Sequence, residues 1–160
     1  MRTIAILFGI FLVAISADGQ DSTLTLGKKT KKYADRLATS SSVITELDGD
    51  GPADYEHFKS VATTNELVLL TDDSNPIIRV YAFRALADRN YSKIQEIFYR
   101  HKLDTVRRYD ITPGSCIMMK LGVNQFMLDN LHPVGSKCKF KFTKEEFDRL
   151  FDEVWKTNQD

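Results

Sequence analysis

The sequence predicts an all-α fold, and three observations carry that prediction. Residues 76–89 hold Ile77, Ile78, Val80, Tyr81, Ala82, Phe83, Ala85, Leu86 and Ala87, interrupted by Arg79 and Arg84. A helix that apolar has no side to show to water and must be covered from several directions. Near the other end, Phe147, Leu150, Phe151, Val154 and Trp155 fall at the i, i+3, i+4, i+7, i+8 spacing of one helical face. Third, Thr63–Glu66, Ser92–Gln95 and Thr143–Glu146 each have the form of a capping box, in which a hydroxyl and a carboxylate or amide satisfy the open N–H groups of a helix start.

The first residues read as a targeting segment. Arg2 is followed by an apolar run over residues 4–15, broken by Gly9, and then by the small residues Ala14, Ser16, Ala17 and Gly19. This is the layout of a secretory signal peptide over residues 1–19, with cleavage after Ala17 or Gly19. The run falls short of the ~20 residues that span a bilayer. No cysteine stands nearby to take a lipid. The rest, residues 20–160, is the length of one domain. With 22 basic and 22 acidic residues the formal charge is zero, which gives no general pull toward nucleic acid or anionic membrane. We expect a secreted or periplasmic protein with no membrane span once the leader is removed. Its two cysteines, Cys116 and Cys138, allow one disulfide, worth roughly 3 kcal/mol for a loop of about 20 residues. Two buried thiols are the alternative.

Taken in order, Leu26, Thr30, Tyr33 and Leu37 set one face of a first helix, and Lys28, Lys29, Lys31 and Lys32 its wet sides. The motif Asp48-Gly49-Asp50-Gly51-Pro52 fails as a calcium loop, because no register supplies both the glycine at position 6 and the glutamate at position 12. It reads as a turn with Pro52 opening the next helix, where Tyr55, Phe58 and Val61 share a face. The helix behind Thr63 stops at the polar turn of residues 71–74. The apolar helix then starts at Pro76 and ends at Asn90. A short link and the Ser92–Gln95 box lead to a helix over residues 92–102 carrying Ile94, Ile97, Phe98 and His101. Residues 104–109 show no period, and residues 116–123 fit a strand or a buried helix equally. A short helix follows over residues 125–131. Residues 137–142, KCKFKF, alternate in the manner of one short extended segment before the last amphipathic helix.

Residues 66–131 resemble the HEAT-like helical repeat, and more closely the small exported bacterial HEAT-like proteins of unknown function. The motif is a helix ending in Leu69-Leu70, a polar turn from Asp72 to Asn75, then Pro76 and an Ile78-Arg79 pair, with Ala82 and Leu86 at the small and large inward positions. The resemblance implies an irregular α-α superhelix of helical hairpins, with Pro76, Arg79, Ala82 and Leu86 as structural residues. It also implies that Arg79 pairs with Asp72 or Asp73 of the preceding turn. Trp155 is the structural anchor expected on the last helix, outside the resemblance.

No phosphate loop, nucleophile elbow, HExxH or paired CxxC is present. The histidines His57, His101 and His132 are widely spaced. No cofactor and no metal is expected. The leading expectation is a non-enzymatic interaction or scaffold module whose partner is another protein, since helical repeats present surfaces. The alternatives are a cell-envelope thiol enzyme or hydrolase using Cys116, and a binder of a small apolar ligand. The loops around residues 104–114 and 131–139 are where a working surface is expected.

Overall fold

A computed structural model describes residues 25–40, 42–44, 53–111 and 118–159, with side chains undescribed at 42–44 and 108–119. The leader, the Asp48–Pro52 turn, the Thr112-Pro113-Gly114 turn and Cys116 lie outside the described residues.

The chain is mostly helical, and its body follows the all-α expectation. In order it forms α1 (Lys28–Ala38), β1 (Ser42–Ile44), α2 (Ala53–Val61), α3 (Thr64–Leu70), α4 (Pro76–Asp88), α5 (Ile94–His101), β2 (Arg107–Ile111), β3 (Met118–Gly122), α6 (Val123–Asp129) and α7 (Lys144–Thr157). Buried side chains from α1 to α7 make one hydrophobic cluster.

The centre is α4. Ten of its thirteen residues are buried, and it packs against α1, α2, α3, α5, α6 and β1, which is why its sequence shows no polar face. Local chemistry fixes both its ends. Asp73 Oδ1 accepts from the Asn75 N–H at 2.7 Å, Asn75 Oδ1 accepts from the Ile77 N–H at 2.9 Å, and Pro76 occupies the first turn. At the far end Asn90 takes the left-handed conformation, φ 55°. Its N–H reaches Ala87 O at 2.9 Å and that of Tyr91 reaches Leu86 O at 3.0 Å, which closes the helix as a Schellman motif with asparagine in the glycine position.

A small sheet was not expected. Its order is β1-β2-β3, with β1 parallel to β2 (Ser42↔Tyr109 to Ile44↔Ile111) and β2 antiparallel to β3 (Arg107↔Gly122 to Ile111↔Met118). The region of residues 116–123 that fitted either a strand or a helix is a strand over its described part, and the end of the aperiodic stretch at 104–109 is its partner. Segment 137–142 is not a strand. It crosses as irregular backbone, held by Lys139 N–H to Asn90 Oδ1 at 2.6 Å and Phe142 N–H to Leu131 O at 3.2 Å. Cys138 and Phe142 are buried, whereas Phe140 is exposed.

Two of the three capping boxes form, at Thr63–Glu66 and Thr143–Glu146. The third does not. Residues 92 and 93 belong to the turn, Lys93 is the N-cap of α5, and no side chain caps that helix. Glu66 does more than its box requires. Its carboxylate accepts from the Thr63 N–H at 2.7 Å and also from the Gly27 N–H at 2.6 Å, so one side chain serves the starts of α3 and α1.

Candidate interaction surface

Arg79 does not pair with the carboxylates of the preceding turn. Its guanidinium grips Asp104, Nε to Oδ2 at 2.7 Å and Nη2 to Oδ1 at 3.0 Å, while Nη1 donates to the backbone oxygens of Asp73 at 2.8 Å and Ser74 at 3.2 Å. The turn carboxylate Asp72 instead meets Arg100 at 3.2 Å. The bidentate geometry explains the choice: Asp104 presents both oxygens to the planar fork, and the same fork still satisfies two turn carbonyls. Both side chains are nearly buried, 11% and 14% exposed.

From Asp104 a polar seam runs across the helix ends. The Asn124 N–H donates to Asp104 O at 2.9 Å and Asn124 Nδ2 donates to Lys102 O at 2.9 Å. Asn124 Oδ1 accepts from the Gln125 N–H at 2.8 Å and from Asn158 Nδ2 at 3.0 Å. Asn124 thereby ties the end of α5, the start of α6 and the end of α7. Gly122 leaves room beside it, since a Cβ there would lie 2.4 Å from the side-chain oxygens of both Asn124 and Asn158 and would displace them.

Among the described residues, Cys138 lies in the core and two of the histidines make ring contacts. Cys138 is a free, buried thiol, and burial pushes its pKa up, opposite to the shift a nucleophile needs. Its possible disulfide partner Cys116 lies outside the described residues, as does the thiol-enzyme reading built on it. His57 stacks on Tyr33 with centroids 5.2 Å apart, and His132 packs edge-on to Phe147 at 4.4 Å. Burial holds His101 below the usual histidine range. Its Nε2 lies 3.1 Å from Asp72 Oδ1 yet makes no hydrogen bond, so the contact is one of proximity without alignment. Among the described residues no three metal-ligating side chains converge, and no helix is long and apolar enough to cross a membrane.

An open groove of about 540 Å³ lies where α1 and α3 begin, lined by Thr25, Lys28, Lys29, Asn65 and Glu66 among others.

The apolar surface lies on α7. Phe147, Leu150 and Val154 are buried, and Lys102 Nζ to Glu153 at 2.8 Å fixes the helix to the end of α5. The stripe is wider than the surface it docks on. Phe151 is 38% exposed and Trp155, the expected anchor, is 49% exposed. Their rings continue a row from Phe147, with Phe151 and Trp155 stacked at 6.3 Å and 9°. Val134, in the loop whose His132 packs on Phe147, is 77% exposed. The loop of residues 131–139 thus adjoins the row through His132, and the aromatic part of the surface comes from the last helix.

Compared with protein-family models, with curated proteins and with solved structures, the chain matches none of them.

Proposed function

We propose that the chain is an exported, non-enzymatic helical interaction module, built around a HEAT-like hairpin of α3 and α4, whose partner is another protein. The outer aromatic row on α7 is the observation that carries this reading. An indole and a phenyl ring held side by side on a well-capped helix are rigid, bulky apolar anchors, the indole with an N–H donor besides, of the kind that dominate protein interfaces. Support for export comes from the leader-like residues 1–19, and support for a binding role over catalysis from the engagement of Arg79, Asp104 and Cys138 in packing.

The test compares the protein with a Phe151→Ser/Trp155→Ser variant, each immobilised and exposed to an extract of the source cells. A protein retained by the first and lost from the second, then shown to bind when purified, is the expected result. Identical retention profiles from two equally stable proteins would sink the reading.

A further inference from the structure

We propose that the lysine face of α1 docks on an anionic lipid bilayer and holds the domain peripherally against it. Lys28, Lys29, Lys31 and Lys32 are all exposed, and none of them has an ion-pair partner among the described residues. Six basic residues elsewhere, Lys59, Arg79, Arg100, Lys102, Lys144 and Arg149, each lie within 3.2 Å of a carboxylate. Over its eleven residues α1 carries five cations against Asp35 alone, and it has no acidic residue in its first turn. At 3.6 residues per turn the four lysines share about 160° of the circumference. The other face, with Thr30, Ala34 and Leu37, is buried, so the helix is fixed and the charges are presented as a set.

The form of the charge selects the partner. The whole chain is neutral, so nothing steers a polyanion from a distance. A four-lysine patch acts only within a screening length of about 8 Å, where a flat, dense array of phosphates can meet every charge at once. The inference goes beyond the interaction role, since it uses α1 and leaves the α7 row free.

Cosedimentation with vesicles tests it, using the protein in whatever processed form its host leaves. Binding is expected to 3:1 phosphatidylcholine:phosphatidylglycerol vesicles at low salt, with release at several hundred millimolar salt and little binding to phosphatidylcholine alone. Each lysine near such a surface contributes about fivefold. Changing all four to Gln should therefore weaken binding by a hundredfold or more, whereas Lys144→Gln/Arg149→Gln/Lys156→Gln should change it little. Helical circular dichroism of both variants checks that the fold survives. The proposal is overturned if the α1 variant binds as well as the parent, if neutral vesicles bind equally, or if heparin or RNA competes fully at equal phosphate or sulfate concentration. Neither failure nor success here changes the fate of the α7 row, which the Phe151/Trp155 variant reads separately.

Discussion

Helices α4 and α7 are both rich in large apolar side chains, yet they stand in opposite relation to the core. Every side of α4 is covered, and its two arginines reach out from the cluster's edge. Only one side of α7 is covered, and its aromatic row continues past the part that docks. The difference shows that apolar content alone does not separate residues that stabilise the domain from those available to a partner. What separates them is whether another element reaches the face.

The comparison can be broken at four places. The largest effect is expected where α4 meets the polar seam. Arg79→Ala leaves Asp104 nearly buried without its cation, a loss of about 3–5 kcal/mol, read as a lowered denaturant midpoint. A shift no larger than that of a surface substitution would remove Arg79 from the framework. Next, Leu86→Ala in α4 should cost ~2–5 kcal/mol through the cavity it leaves. Glu66→Gln comes third, at ~0.5–2 kcal/mol, a cap-sized loss, because an amide cannot serve both helix starts as the carboxylate does. The smallest is Trp155→Ala, where we expect a change within ~0.5 kcal/mol in thermal melting. A loss as large as that at Leu86 would show that the outer row is core after all.

Two groups on the helices flanking α4, Glu66 of α3 and His101 of α5, set a response to acid. Burial alone would raise the Glu66 carboxyl, but the N–H groups of Thr63 and Gly27, with the Thr63 and Thr30 hydroxyls, outweigh it and hold it below the usual range. Its contribution is therefore complete above the unfolded value near 4.3 and is lost as pH falls through the lower folded value. Burial depresses His101 as well, so stability also declines as pH drops below about 6.5, where the unfolded chain takes up its proton first. Denaturation midpoints across pH should show His101→Gln flattening the upper part of that decline and Glu66→Gln the lower. Parallel curves for parent and variants would refute both assignments.

How much of this was legible in the sequence depended on the distance over which each feature is decided. The caps at Thr63 and Thr143 and the left-handed stop at Asn90 are settled within a few residues, and they read correctly. The Ser92–Gln95 pair has the same local form, but the turn runs one residue further and starts α5 after Lys93. The partner of Arg79 was sought in the adjacent turn, whereas Asp104 lies 25 residues on. The parallel β1–β2 pairing was missed for the same reason, since β1 finds β2 only after four helices have intervened, whereas the local β2–β3 pair was missed because residues 104–109 show no period. Asn124, with Gln125 beside it inside an otherwise apolar run, carried a signal that could have been used: buried amides need hydrogen-bond partners. Trp155 fitted the stripe, but periodicity gives the direction of a face and not the width of what covers it.

The double duty of Glu66 has a consequence for the order of assembly. Helix α1 begins with lysines at the end of a helix where positive charge is disfavoured, and the carboxylate that offsets this belongs to α3. The first helix in the sequence therefore waits for the third. Hydrogen exchange should find the α1 amides opening together with those around Thr63, and the lysine face should exist as a patterned surface only on the folded chain.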